Sequence, residues 1–262
     1  MGTREDAANH IRTMAREGDV INLDPVHPTL INGIGSFFIR WAQRSLFGKT
    51  SNWRDSHSMI YFRNASILKY IGEESKVKDI MAKSLAVSPK EVFSVAPPQA
   101  SFIPIEDFAM DKVSVYRYTK RPLTPEDIGI MLEATVPLLL TSYDYLQLLN
   151  IALNQVLDYP FKQKTKLFDF SPKMKVCSVG VAAVYLHWRK RLQKTPGAQI
   201  PERLFSTLNP SRWPNPEIVK EFRKDGHGWS VESTYPAQFA NSNFFADEFE
   251  LVLRMENGQV IS

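Results

Sequence analysis

This chain of 262 residues has a single cysteine, Cys177, and it lacks a long apolar run. One cysteine excludes an intrachain disulfide, which fits a reducing compartment. The clearest apolar runs, such as residues 136–140, are far shorter than the roughly 20 residues of a membrane-spanning helix. Residues 1–10 contain acids and no apolar core, so we expect no signal peptide. We therefore expect a protein without a transmembrane segment that is cytoplasmic as synthesised and reaches other places only by another route.

The chain also lacks a strong excess of charge of one sign. Lysine plus arginine total 32 against 28 acids, and no basic motif is interleaved with aromatic residues as in RNA-binding domains. Gly48-Lys49-Thr50 imitates the end of a phosphate-binding loop, but the glycine required five residues earlier is Gln43. His27 has no second ligand at metal-site spacing. We therefore expect no nucleic acid, no metal and no organic cofactor.

Cys177 lies near the start of a mostly apolar segment that is predicted to be helical. Ser171 and Pro172 are typical of an N-cap and a first helical position, and basic residues 189–191 precede a stop at Pro196-Gly197. The positive end of a helix lowers the pKa of a thiol from about 8.5 toward 7, which favours a reactive thiolate. The alternative is a small buried core residue, which a lone cysteine in an apolar helix commonly is.

A nucleophilic cysteine needs a base, and the candidates are His10, His27, His57, His187 and His227. His187 follows Cys177 by ten residues on the same helix, so it points elsewhere and lies about 15 Å away. His57 begins segment 57–62, whose pattern predicts a buried strand after a polar turn. A histidine that starts a strand and faces a helix N-terminus with a cysteine has the geometry of a thiol–imidazole pair.

Local signals predict the elements around these residues. Thr3 and Asp6 form a capping-box pattern at the start of a short helix, and Thr124 with Pro125 starts a helix that runs to about Thr135. Strands are predicted at residues 19–23, 57–62, 91–96, 101–105, 112–118 and 249–255, further helices at 145–157 and 216–224, and loops at 225–248.

A predicted amphipathic helix at residues 35–47 has Phe37, Phe38 and Trp41 on one side and arginines on another. Aromatic residues opposite arginines are typical of a lid or of a helix at a membrane surface. Trp41 is then a candidate substrate-binding residue. The alternative is a helix that packs its aromatic side into the core and keeps the arginines in solvent.

Several motifs follow one another in a fixed order: residues 18–21, 56–60, 103–108, 113–117, 143–145 and Cys177-Ser178 at a helix start. In this order they resemble the circularly permuted NlpC-like papain-fold hydrolases, the YiiX-like group. The resemblance covers about residues 16–210. It implies an α+β, papain-like fold of the permuted NlpC type, in which a small antiparallel sheet packs against helices. We expect one domain over residues 1–262, with a C-terminal extension at 211–262 whose strand closes the sheet.

The resemblance implies roles for individual residues. Cys177 is the nucleophile and His57 its general base, with histidine before cysteine as the permuted group requires. The family often has a carboxylate at the position of Val95. The role of orienting the imidazole therefore passes to Ser94 or Gln99, or stays empty.

The resemblance also places Tyr143 and Asp144 near the active site as substrate-binding residues. An acid at this position is equally explained by the dipole of the helix that it opens.

These features predict a cysteine-dependent hydrolase or acyltransferase that acts on an amide or ester through a Cys–His pair. The resemblance implies a cell-wall peptide or an acyl lipid as substrate. Peripheral contact to a membrane is suggested by the helix at 35–47, and contact within an assembly belongs to the alternative function. The alternative is a catalytically weak or inactive papain-like scaffold, serving as a structural or binding component of a larger bacterial or viral assembly. Val179, which stands where the family commonly has glutamate, motivates this alternative, because a fold does not determine a function.

Overall fold

The structure is a computed structural model that describes residues 2–24, 39–40, 43–44, 54–71, 90–96, 99–139, 177–200, 236–240 and 248–261. The elements in chain order are α1 (Arg4–Met14), β1 (Val20–Asp24), β2 (His57–Tyr61), α2 (Asn64–Ile71), β3 (Val92–Ala96), β4 (Gln99–Ile103), a 3-10 turn (Ile105–Asp107), β5 (Lys112–Tyr118), α3 (Pro125–Leu139), α4 (Cys177–Leu192), α5 (Pro236–Ala240), β6 (Phe249–Glu256) and β7 (Gln259–Val260). The fold class is therefore α+β, as predicted.

The strands form one antiparallel sheet in the order β4-β3-β2-β1-β5-β6-β7. β1 lies at its centre, where Val20 pairs with Ile60 of β2 on one side and with Tyr116 of β5 on the other. The strand predicted near the C-terminus is β6, and it pairs with β5. None of the helices in the described ranges is long and apolar enough to cross a membrane.

Each face of the sheet carries its own apolar cluster, because side chains alternate along a strand. On the first face, Val20 and Ile60 pack with residues of α3 and α4, including Trp188. On the second face, Ile21 and Met59 pack with α1 and the 3-10 turn. We refer to these as the α4 face and the α1 face.

Local capping signals predicted two helix starts correctly. The N–H of Asp6 donates to Thr3 Oγ1 at 3.1 Å, and the N–H of Thr3 donates to Asp6 Oδ2 at 2.9 Å, so α1 has a capping box. α3 begins at Pro125 as predicted, but it continues to Leu139. The buried Leu138 explains the extra turn, since core packing at the end of the helix outweighs the helix-breaking tendency of Pro137.

Three described elements differ from the prediction. α5 lies within residues 225–248, which were predicted to be loops, and neither α2 nor β7 was predicted. α5 has only five residues, too few for a periodic pattern, and it is held by Ala237 and Phe239, both 1% exposed. The predicted helices at 145–157 and 216–224 lie outside the described residues.

Candidate active site

α4 presents Cys177 as its first residue. The helix is held against the sheet by buried residues such as Val181, Tyr185 and Trp188, so its first turn is fixed relative to β2 and β3. Cys177 itself is 1% exposed. The predicted N-cap, Ser171 and Pro172, lies outside the described residues.

Gly180 lets the first turn of α4 approach β3 closely. A Cβ atom at Gly180 would lie 2.5 Å from Val95 Cγ2, which is closer than real side chains approach. We expect Gly180→Ala to lower the free energy of unfolding by about 1–3 kcal/mol, measured by urea denaturation. In a Val95→Ala background the same change should instead stabilise, because the clash is gone and alanine favours a helix. A Gly180→Ala variant as stable as the parent would contradict this contact.

The sulfur of Cys177 lies beside the first residues of β2. Its Sγ is 3.9 Å from the carbonyl oxygen of Ser56, and the backbone N–H of Ser58 is near enough to act to lower the thiol pKa. In an extended strand the carbonyl of one residue and the N–H of the residue two further on leave the backbone on the same side. The sulfur therefore flanks the backbone of His57, the residue between them.

A gap in the sheet gives the sulfur this position. The pairing of β2 with β3 runs from Tyr61 opposite Val92 to Met59 opposite Ser94, and it stops there. The next N–H on this side of β2 belongs to Ser58, so it is not used by β3 and faces Cys177 instead. The N-terminus of α4 thus occupies the place where β3 leaves β2.

His57 is the first residue of β2, as predicted. The alternation of the strand places it on the α1 face with Met59 and Tyr61. Its Nε2 lies 2.9 Å from the Oγ of Ser94, a residue of β3 that is 1% exposed. Gln99, the other candidate for the orienting residue, is exposed at the start of β4. Of the two, Ser94 is the one whose hydrogen bond to His57 the structure records.

The charges of the two groups at neutral pH follow from their burial. Burial raises the pKa of the Cys177 thiol, although N–H donors of Ser58 and Ser178 act in the opposite direction. Burial lowers the pKa of His57 to about 4. The resting pair is therefore a neutral thiol and a neutral imidazole. The expected lowering of the thiol pKa was wrong, because loss of solvent around a buried sulfur outweighs the helix terminus.

Buried polar residues beside this site were not singled out from the sequence. The Oγ of Ser58 donates to Oδ1 of Asn22 at 2.7 Å, and Nδ2 of Asn22 donates to the carbonyl oxygen of Pro236 at 2.8 Å. One signal could have found them. Asn22 interrupts an apolar strand at a position on the same face as Val20, where a polar residue needs a partner.

Asp55 belongs to the same buried region. Its Oδ2 is 3.4 Å from Nδ2 of Asn22, and its carbonyl oxygen accepts a hydrogen bond from Nε2 of Gln43 at 2.7 Å. The Oε1 of Gln43 in turn accepts from the N–H of Ala237 at 2.8 Å. Burial, together with the nearby charge of Asp24, raises the pKa of Asp55 to about 7.

The remaining predicted site residues, Tyr143, Asp144 and Trp41, lie outside the described residues. Of the predicted helix at 35–47, the structure describes residues 39–40 and 43–44 as helical, and Arg40 forms an ion pair with Asp24. Within the described ranges, no three His, Cys, Asp or Glu side chains are grouped closely enough to hold a metal ion. Comparison of the chain with protein-family models, with curated proteins and with solved structures finds no match.

Proposed function

We propose that this chain is a cysteine-dependent hydrolase or acyltransferase with a papain-like fold. Cys177 is the nucleophile, His57 the general base, and Ser94 the residue that orients the imidazole. One observation carries the proposal: the sulfur flanks the backbone of His57 at a helix N-terminus, while Nε2 of His57 bonds to Ser94.

The hydrogen bond to Ser94 is compatible with the tautomer that this chemistry needs, because a serine hydroxyl can accept as well as donate. If the Nε2–H of His57 donates to Ser94 Oγ, Nδ1 is unprotonated and is the atom that accepts a proton. The structure records no hydrogen bond between Sγ and the His57 ring, so in the proposed reaction the imidazole turns from Ser94 toward the sulfur. Sγ then attacks the substrate carbonyl carbon as its proton passes to Nδ1. The leaving amine or alcohol takes that proton, and a thioester to Cys177 remains.

The neutral resting pair determines when the thiolate forms. Since burial raises the pKa of Cys177 and lowers that of His57, an ion pair is unfavourable before substrate binds. Proton transfer therefore accompanies attack instead of preceding it. The backbone N–H groups of Ser58 and Cys177 are donors beside the sulfur that can stabilise the developing oxyanion.

The substrate class follows from the reaction and from the family that the sequence resembles. A thioester intermediate serves an amide or an ester equally well, and either water or an amine or alcohol acceptor can resolve it. Cell-wall peptides and acyl lipids are the two substrate classes that this resemblance implies.

A single observation favours a second function. Cys177 is 1% exposed, so a substrate carbonyl reaches the sulfur only if neighbouring residues move. A papain-like scaffold that binds a partner without turnover accounts for a sulfur that stays covered.

Acyl transfer to the cysteine tests the proposal. With an activated p-nitrophenyl ester, mass spectrometry of the folded protein should show one acyl adduct, on Cys177, which Cys177→Ala abolishes. We expect His57→Ala to slow adduct formation by about 100-fold, the usual contribution of a general base. His187→Ala, an exposed histidine on the same helix, is the matched control and should react at the parental rate.

Two outcomes would argue against the enzyme. A parental rate in His57→Ala would remove His57 from the reaction, and an unmodified Cys177 in the folded parent would favour the scaffold.

A further inference from the structure

A buried chain of hydrogen bonds connects α5 with the strand segment that faces Cys177. It runs from the carbonyl of Pro236 through the amide of Asn22 to the hydroxyl of Ser58. Asn22 and Ser58 are register partners on β1 and β2, and both are 0% exposed. The backbone N–H of Ser58 acts to lower the pKa of the Cys177 thiol, so the hydrogen bonds end at a residue beside the candidate nucleophile.

The first residues of β2 depend on this series of hydrogen bonds, because they have a partner strand on one side only. β3 pairs with β2 no further than Met59, whereas β1 pairs with both His57 and Ser58. The side-chain bond from Ser58 to Asn22 therefore adds a restraint where the ladder to β3 is missing. A strand with one neighbour is otherwise the part of a sheet that moves most easily.

We propose that Asn22 is a positioning residue for Cys177, since through Ser58 it holds the strand edge that faces the sulfur. This inference rests on the proposed function. When Cys177 loses its proton, it can no longer donate to the carbonyl of Ser56, and the N–H of Ser58 is the donor that remains on the same strand edge. Holding that N–H in place stabilises the thiolate and the charge that develops during attack.

The carbonyl of Pro236 sets the orientation of the Asn22 amide. Nδ2 must face this carbonyl, which only accepts hydrogen bonds, so Oδ1 faces Ser58 and accepts from its hydroxyl. If the amide were reversed, Oδ1 of Asn22 would face the carbonyl oxygen of Pro236. Two buried acceptors would then lack a donor, which is unfavourable. The docking of α5 is thereby coupled to the position of Ser58.

The test measures the pKa of the single thiol, from the ultraviolet absorbance of the thiolate against pH, with Cys177→Ser as the blank. Ser58→Ala removes the bond to Asn22, and we expect the thiol pKa to rise by about one unit, equal to the loss of one hydrogen bond. Ser58→Thr keeps a hydroxyl and should restore the parental value. Ser114→Ala is the matched control, a 1% exposed serine opposite Asn22 on β5, and should leave the thiol pKa unchanged.

A double variant separates positioning from a general loss of structure. Asn22→Ala should raise the thiol pKa as Ser58→Ala does, and the combination should raise it no further, because both break the same bond. Additive shifts, or a parental pKa in Ser58→Ala, would overturn the inference. Either single variant decides the question if the other does not fold, as judged by circular dichroism.

The failure of this inference is distinct from the failure of the proposed function. If His57→Ala slows acyl transfer while Ser58→Ala leaves the thiol pKa unchanged, the proposed function is retained and Asn22 has no positioning role. If Ser58→Ala shifts the thiol pKa but the parent forms no acyl adduct, the hydrogen bonds do position the thiol and the proposed enzymatic function is wrong.

Discussion

Asp127→Ala should lower the free energy of unfolding by about 3–5 kcal/mol at neutral pH, the usual cost of breaking a buried ion pair by removing one partner. Asp127 is 2% exposed and sits at the start of α3. Its Oδ1 accepts from Nε1 of Trp188 at 2.7 Å, and both carboxylate oxygens accept from Arg121, at 2.6 and 2.8 Å. The backbone N–H and the hydroxyl of Thr124 donate to Oδ2 as well.

The substitution removes several interactions at once, which is why its expected effect is large. Trp188 is fully buried on α4, so its indole N–H would lose its partner in a place without solvent. The guanidinium of Arg121, which also lies over the Trp188 ring at 5.1 Å from its centroid, would lose its counter-ion. α3 would lose the carboxylate half of the capping box that starts it, the bond accepted from the N–H of Thr124.

The effect should depend on pH with a defined sign. Burial alone would raise the pKa of Asp127, but hydrogen bonds from Arg121, Thr124 and Trp188 bring it below its ordinary value. A carboxyl group whose folded pKa is depressed stabilises the fold above its unfolded pKa, and loses this effect as pH falls through the folded value. The difference between parent and Asp127→Ala should therefore shrink below about pH 4.

Urea unfolding of Glu133→Ala is the matched control, because Glu133 also connects α3 with α4. Its ion pair with Arg191 spans 3.7 Å between side chains that are both 56% exposed, so its removal should leave the stability near the parental value. Equal losses in the two variants would show that the carboxylate of Asp127 has no special role in holding α4.

The sequence predicted those elements whose signals are local. The cap residues Thr3 and Thr124 start helices through hydrogen bonds to residues three positions away. Alternation predicted the strands observed as β1 and β6. The strand start at His57 and the helix that carries Cys177 were also predicted. Such signals depend on neighbours along the chain, which is why one sequence suffices for them.

The environment of the candidate site could not be derived in the same way. The hydrogen bond from Asn22 to Pro236 joins residues 214 positions apart, and no local pattern carries that information. The expected low pKa of Cys177 was wrong because burial is a property of the packed chain, whereas the helix terminus is visible in the sequence. The choice between Ser94 and Gln99 likewise needed the register of β3 against β2.

Asp55→Asn should stabilise the protein by up to about 4 kcal/mol at pH 8, and by almost nothing at pH 4. The carboxyl group is 2% exposed, and burial together with the charge of Asp24 raises its pKa to about 7. In the unfolded chain an aspartate titrates near 3.9. Between these values the unfolded state releases a proton that the folded state keeps, so stability falls as pH rises from about 4 to about 7.

The amide of asparagine has nearly the shape of the neutral carboxyl group and carries no charge at any of these pH values. It can still accept from Nδ2 of Asn22, and the backbone carbonyl of residue 55 still accepts from Gln43. Arg254 and Lys112, which act to lower the pKa of Asp55, would lose a weak attraction only. The gain should therefore exceed the loss at every pH where the unfolded chain carries the charge, above about pH 4.

The measurement is urea unfolding of the parent and Asp55→Asn at several pH values. Glu126→Gln serves as the control, because Glu126 is an exposed carboxylate whose removal should give no comparable pH-dependent gain.

If the two stability curves run parallel from pH 4 to pH 8, Asp55 is ionised in the folded protein at neutral pH. A negative charge would then lie next to Ser56, whose carbonyl contacts the sulfur of Cys177. Such a charge would raise the thiol pKa further and oppose formation of the nucleophile. Curves that diverge above about pH 4 would show that Asp55 keeps its proton, which spares Cys177 that repulsion.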